Sequence, residues 1–278
     1  MSDQIDDIVE GSSSGASEPK LIDVPGVKNL RDVGGLKTSD GHRMSERRLF
    51  RSAQLGDDDP DTLAGLAALG LEAVFDLRTS HETVSLPDAV PPGVEVFHLD
   101  VLAGTSESVA TGLEDLFDDP AGATEILRQG KVTDHYLHTY KELVSLDSAR
   151  ASYQSLFTQI ADGKVSLFHC TAGKDRTGWA AASLQLLLNV PLESVTADYL
   201  ASNGPAMELF GPILDSFAAV GGDPKLLAPV FQVDAEYLSS ALSEVTELFG
   251  DIEGYFHEGL GLDREVTEAI RHHLLIEG

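Results

Sequence analysis

A chain of 278 residues can bury a large hydrophobic core, and its 42% hydrophobic and 23% charged content sits near globular averages. With 46 Asp and Glu against 19 Lys and Arg, the formal charge is −27, and such a surface repels nucleic-acid phosphates and anionic membrane faces. The one cysteine excludes an intramolecular disulfide, and no run of about 18 apolar residues is available to insert stably into a bilayer.

Residues 1–19 are acidic, carry no base and include Gly11-Ser12-Ser13-Ser14-Gly15, too little apolar content to pack, so they are expected to form a disordered tail. They show neither the basic start nor the apolar centre of a signal peptide, which makes a cytoplasmic location the default and export without a classical signal the alternative. From residue 20 to 278 no Pro/Gly/Ser linker and no internal repeat divides the chain, and one domain is expected there.

Within it, Glu72–Leu77, Val94–Leu99 and Val165–His169 are short β-branched or aromatic runs bounded by turn residues, the pattern of strands. Between them Asp61–Leu69, Thr133–Val144 and Ser148–Ala161 space apolar residues three and four apart, as helices do, with Asp147 or Ser148 as the expected cap of the last. This alternation predicts an α/β fold with a partly parallel central sheet flanked by helices. After Thr177 the pattern is helical, over 177–189, 192–202, 205–219, 234–249 and 263–276, and a helical C-terminal layer is expected. Met207, Phe210, Ile213, Leu214 and Phe217 make one apolar stripe in it, which suits either core packing or a mobile cover over a site.

The chemistry concentrates in His169-Cys170-Thr171-Ala172-Gly173-Lys174-Asp175-Arg176-Thr177, an H-C-x5-R-T run between a strand and a helix. Five residues between Cys and Arg in a strand-to-helix turn let successive backbone N–H groups converge on one anion at the helix N-terminus. A phosphate fits there, cradled by Thr171, Ala172, Gly173 and Lys174, and the same field favours the nucleophilic thiolate form of Cys170. Arg176 offers a planar fork to two phosphoryl oxygens. Gly173 allows the loop to close around the ligand, His169 can bond backbone near Cys170, and the Thr177 hydroxyl can reach toward the sulfur when it departs. No metal or cofactor is called for. His135, His138, His272 and His273 lack the companions of a metal site and read as solvated or core histidines. A sulfurtransferase or arsenate reductase also uses a loop cysteine, but the latter needs further thiols that are not in this sequence.

The same loop resembles that of the bacterial protein tyrosine phosphatase family that includes a secreted mycobacterial enzyme. Leu30-Arg31-Asp32-Val33-Gly34-Gly35, Leu49-Phe50-Arg51-Ser52, Asp76-Leu77-Arg78, Ala197-Asp198-Tyr199-Leu200-Ala201-Ser202-Asn203 and Glu236-Tyr237-Leu238 with the Tyr255 helix match that family's blocks in order, over about residues 20–276. The resemblance implies the α/β cysteine-dependent phosphatase fold, phosphotyrosine protein as substrate, in some members phosphoserine, phosphothreonine or phosphoinositide, and a two-helix lid after the Ala197 block. It also implies added charge for multiply phosphorylated substrates from Lys174. Thr171 stands where a bulkier aromatic residue is expected, and Ala103–Gly130 matches no family block.

A leaving phenolate must be protonated, and two acids could do it: Asp175 in the loop, or Asp76 at the C-terminal end of a strand, where ligands of α/β sheets usually sit. The resemblance favours Asp175. Asp76 could instead orient Arg176 or Lys174, or simply pair with Arg78; Arg31-Asp32 with Gly34-Gly35 reads most simply as a tight turn with a local ion pair. A phosphoinositide phosphatase with the same loop chemistry is the alternative function, and a catalytically silent phosphopeptide-binding module, which would not need Cys170, Thr177 or an acid, is the alternative from another class.

Overall fold

The computed structural model describes residues 21–104, 127 and 131–278; the expected tail and most of Ala103–Gly130 lie outside the described residues. Five strands form the central sheet in the order β1-β3-β6-β4-β5. β1 (Arg31–Asp32) runs antiparallel to β3 (Leu49–Ser52), whereas β3, β6 (Ser166–His169), β4 (Ala73–Asp76) and β5 (Glu95–His98) are mutually parallel. The fold is therefore α/β with a mostly parallel sheet flanked by helices, the expected class. β3, β4 and β6 are buried along their whole length, which is why they read as short apolar runs rather than as alternating patterns.

Their side chains still divide by the pleat. Phe50, Val74 and Leu167 enter a cluster with Val24, Val27, Leu30, Leu55 and Leu66, the last from α1 (Pro60–Ala67). Leu49, Phe75 and Phe168 enter the larger cluster on the opposite face, with side chains of α3 (Lys131–Ser145), α4 (Asp147–Ile160) and α5 (Arg176–Leu187). Between β4 and β5 lies the short α2 (Ser80–Ser85). α5 is buried nearly all round, its Ala180, Ala181 and Ala182 permitting close approach of neighbours.

The C-terminal layer comprises α6 (Leu192–Leu200), α7 (Asn203–Ala219), α8 (Ala235–Phe249) and α9 (Arg264–Leu274). α8 packs along α3 through Tyr237, whose ring stacks on Tyr136 with centroids 5.3 Å apart and lies 5.6 Å from Tyr140. The Met207 to Phe217 stripe is packed, but in a satellite cluster of its own: Leu214 and Phe217 meet Leu127, Leu227, Val230 and Phe231.

Most element boundaries shift by one or two residues from expectation, and two of the differences have a specific cause. The last helix stops at Leu274 because Leu275–Glu277 forms β7, paired antiparallel with β2 (His42–Met44), a ladder too short to leave a periodic signal. The N-cap of α4 is Leu146; Asp147 is the first helical residue, and the Ser148 hydroxyl donates instead to the Val101 carbonyl at 2.9 Å.

Candidate active site

Parallel pairing in register brings Ser52, Asp76 and His169 side by side at the C-terminal ends of β3, β4 and β6. The chain leaves this edge at Cys170 and begins α5 at Arg176, so the H-C-x5-R-T run forms the strand-to-helix loop that its spacing predicts. Cys170 itself is buried.

The loop's shape is imposed from outside. The backbone N–H of Gln54 donates to the Thr171 carbonyl at 3.1 Å, and Asn29 Nδ2 donates to the Ala172 and Gly173 carbonyls at 3.0 and 3.1 Å. Arg51 adds a third donor, 2.9 Å from the Gly173 carbonyl. Because the described peptide bonds are trans, N–H and C=O of one unit point in opposite directions. Turning these three carbonyls outward turns the N–H groups of Ala172, Gly173 and Lys174 inward, the arrangement that holds an anion. Gly173 adopts φ +67°, and a Cβ there would lie 2.2 Å from the Ser52 carbonyl oxygen, so no other residue fits.

Behind the loop stands a buried charge network. Asp198 accepts from Arg31 Nε and Arg51 Nη1, each at 3.0 Å, and from Gln185 Nε2 at 3.2 Å. Arg31 further bonds the Asp198 carbonyl, Ser202 Oγ and Asn29 Oδ1. Burial opposes ionisation of Asp198, but Arg31 and Arg51 outweigh it and hold the carboxyl below its usual range. Arg31 is thus no partner of the adjacent Asp32, as a local turn would have it: Asp32 caps the backbone N–H groups of Gly34 and Arg47 instead. The sequence blocks around Arg31, Arg51 and Asp198 converge on the back of the H-C-x5-R-T loop.

Arg176 is held by a residue that the sequence reading passed over. Glu82 Oε2 and Oε1 lie 2.7 and 2.8 Å from its two Nη atoms, and the Thr171 hydroxyl bridges Glu82 and Arg176. Glu82 is fixed in turn by a capping box with Thr79 at the start of α2. The T-x-x-E spacing was the available signal. Burial works against ionisation of Glu82, yet the Arg176 guanidinium and its hydrogen bonds hold the carboxyl far below its ordinary value.

Asp76 does not join this group. Arg78 takes both its oxygens, Oδ2 at 2.8 Å and Oδ1 at 2.9 Å, with the Thr83 hydroxyl also donating to Oδ2, so it orients neither Arg176 nor Lys174. Arg78 also pairs with Asp88 at 2.7 Å, and Asp88 holds His169 Nε2 at 2.9 Å, while His169 Nδ1 lies 3.3 Å from the Cys170 carbonyl. Asp76, Asp88 and His169 bring ligand atoms within 4.8 Å of one another, a metal-like grouping among the described residues, but the Arg78 guanidinium already supplies its positive charge.

On the opposite side of the loop Asp175 accepts from Tyr140 Oη at 2.9 Å and pairs with Lys174 Nζ at 2.9 Å. Lys174 is buried, with its ammonium 4.9 Å from the centre of the Tyr136 ring and 3.5 Å from the Gln232 carbonyl. The Thr177 hydroxyl is buried without a hydrogen-bond partner, so it makes no bond to the sulfur here. The loop thus gathers one thiol, one tethered arginine, one carboxyl group and an inward ring of amides, a set suited to displacement at phosphorus.

A model of the "Tyrosine phosphatase family" matches residues 22–276, nearly the whole chain. The chain belongs to the tyrosine phosphatase family. Among relatives, a Cupriavidus necator protein named as a tyrosine-protein phosphatase is 29% identical over 89% of this chain and 86% of its own length. The triple specificity protein phosphatase PtpB of Mycobacterium tuberculosis is 28% identical over 91% of this chain and 98% of its own, and a Nostoc commune tyrosine-protein phosphatase is 32% identical over 55% of this chain and 47% of its own. The enzyme is a phosphatase, and no helix among its described residues is long and apolar enough to cross a membrane.

Proposed function

We propose that the enzyme hydrolyses phosphotyrosine through a phosphocysteine intermediate, with Cys170 as nucleophile, Arg176 and the amides of the loop 171–174 as phosphate binders, and Asp175 as general acid. The observation that carries this reading is the combination at one loop of a buried thiol, an arginine oriented by Glu82 and a carboxyl group fixed beside them. Cys170 Sγ attacks phosphorus as the phosphate–phenol bond breaks, and Asp175 passes its proton to the departing oxygen. In the second half Asp175 takes a proton from water, the water oxygen bonds phosphorus, and the thiolate leaves. Arg176 and the inward amides face charge that builds on the equatorial oxygens in both steps.

Asp175 is favoured over Asp76 as the acid because Asp76 is buried with both oxygens on the Arg78 guanidinium, whereas the Asp175 side chain keeps 23% of its surface exposed beside Arg176, where a leaving group can reach it. Dual specificity toward phosphoserine and phosphothreonine accords with the name of the mycobacterial relative, which is a triple specificity phosphatase. A phosphoinositide ranks below protein substrates, since the Lys174 ammonium, the charge that would recognise a second phosphate, is paired with Asp175 and buried. The deciding experiment measures inorganic phosphate released from a phosphotyrosine peptide, a phosphoserine peptide and a 3-phosphoinositide by the wild type and by Cys170→Ser, with chelator present. Release from the phosphotyrosine peptide that is lost in Cys170→Ser while the variant still binds the ester is the expected result; release that survives the substitution overturns the mechanism.

A further inference from the structure

Behind Asp175 stands a hydrogen-bonded pair of tyrosines that the proposed reaction does not use. Tyr140, on α3, donates its phenolic proton to Asp175 Oδ1 at 2.9 Å, and Tyr199, on α6, donates to Tyr140 Oη at 2.6 Å. Both side chains are almost completely buried, and their rings meet edge to face with centroids 6.1 Å apart. Burial first, and the Asp175 charge second, push both phenols well above their ordinary range, so both remain proton donors at any working pH.

The order of donation matters. Tyr140 has one hydroxyl proton, and because Tyr199 already donates to its oxygen, that proton is directed at Asp175. Lys174 Nζ approaches the same carboxyl group from its other side, 2.9 Å from Oδ2 and 3.1 Å from Oδ1. A carboxyl bonded by two donors, one of them anchored in the core, cannot swing about its terminal bond without breaking one of them. Asp175 is in addition the N-cap of α5 yet caps nothing with its side chain, so local helix geometry does not fix its orientation. That orientation comes from Tyr140 on α3 together with Lys174, and of the two only Tyr140 is anchored by a second hydrogen bond from the core, that of Tyr199.

We propose that Tyr140, backed by Tyr199, is the positioning residue for the general acid: it holds the Asp175 carboxyl in the orientation from which the leaving phenolate is protonated. This rests on the assignment of Asp175 as the acid. General acid catalysis contributes about 10²- to 10⁴-fold, and displacement of a catalytic group by an ångström forfeits much of such a term.

The test is the dependence of kcat/KM on the basicity of the leaving group, measured with phenyl phosphate, 4-nitrophenyl phosphate and a more electron-poor aryl phosphate for the wild type, Asp175→Asn, Tyr140→Phe and Tyr199→Phe. Thermal unfolding of each variant is recorded alongside. The wild type should show a shallow dependence and Asp175→Asn a steep one. Tyr140→Phe should steepen it too, losing about 10- to 100-fold on phenyl phosphate and little on the most electron-poor ester. Tyr199→Phe should move in the same direction by less. A loss of core packing alone would lower all three substrates together. If Asp175→Asn is steep while Tyr140→Phe and Tyr199→Phe follow the wild type, or lose all substrates equally, the role of the tyrosines is refuted and the acid stands. If Asp175→Asn is itself as shallow as the wild type, the acid assignment fails and the inference falls with it. Should Tyr140→Phe not fold, Tyr199→Phe decides by the same criterion.

Discussion

Glu82 holds Arg176 by both Nη atoms, one carboxylate oxygen at 2.7 Å and the other at 2.8 Å, across 94 residues of sequence. The pair fixes a guanidinium whose five-donor fork has another edge, carrying Nε, outside this contact. In the proposed reaction that other edge is the one that meets the phosphoryl group. Arg176 also remains charged despite its burial, because the bond to Glu82 and the nearby Cys170 and Asp175 outweigh the desolvation that opposes it.

Glu82→Gln should therefore weaken the site while leaving every loop residue in place. The variant keeps the length of the side chain and one acceptor but loses the charge, so Arg176 gains freedom. A loss on the order of 1–3 kcal/mol in transition-state stabilisation is expected, read as a 10- to 100-fold fall in kcat/KM on a phosphotyrosine peptide. Weaker inhibition by inorganic phosphate should accompany it. Unchanged kinetics in Glu82→Gln would show that Arg176 needs no tether.

Asp198 carries the next prediction, on stability. It is buried between Arg31 and Arg51, and Asp198→Asn leaves two buried guanidinia without a counter-charge, at a cost of about 3–5 kcal/mol. The pH dependence follows in sign. A carboxyl whose folded value lies below its unfolded value of about 4 stabilises the fold fully above that value and less as pH falls toward the folded one. Wild-type stability should thus decline below about pH 4 more steeply than that of Asp198→Asn, as urea midpoints at pH 7, 5, 4 and 3 will show.

At Gly173 the geometry leaves no room. The residue sits at φ +67° with the Ser52 carbonyl where a Cβ would be, so Gly173→Ala must shift either the loop or the end of β3. Backbone strain of this sort costs about 1–3 kcal/mol, and the peptide units it displaces are those whose N–H groups face inward. Activity should fall by far more than stability does. Comparison of melting temperature with kcat/KM in the one variant checks this.

The H-C-x5-R-T loop and its supporting strand and helix were legible in the sequence because they are local: a short buried run, then the loop, then helical periodicity from Thr177 onward. What surrounds the loop was not, since it depends on pairings between distant segments. Arg31 lies 167 residues from Asp198, so its neighbour Asp32 was the nearer candidate partner, and nothing local says otherwise. For Asp76 the sequence left the catalytic acid and the strand-end pair with Arg78 both open, and the fold displays the pair. The position of Asp76 at a strand end suited a catalytic acid, yet the Arg78 two residues on, in the same short block, took both its oxygens. Glu82 did leave a local trace in Thr79-x-x-Glu82, a helix-start signature whose second use, gripping Arg176, only the folded chain displays. Tyr140 left none, since a tyrosine at helical spacing on α3 reads simply as core.

The satellite cluster of α7 supplies the last prediction. Phe217 is fully buried there, against Leu214, Leu227, Val230 and Phe231, and its ring covers Gly222, where a Cβ would come within 2.3 Å of it. These contacts are separate from the two clusters on the faces of the sheet. Phe217→Ala removes about 3–5 kcal/mol of packing from a cluster with few members, while leaving the sheet's own packing intact. The segment 203–231 should consequently open on its own, in the way locally stable units do. Limited proteolysis is expected to nick it much faster than in the wild type at a temperature where the remaining domain stays folded. The segment also adjoins the site: Asn203 bonds both backbone groups of Val233, and the Gln232 carbonyl lies 3.5 Å from Lys174 Nζ. Local opening should therefore release Lys174 from one of its contacts and alter KM. A single cooperative loss of the whole fold in Phe217→Ala, without faster nicking beforehand, would instead make the layer an integral part of the core.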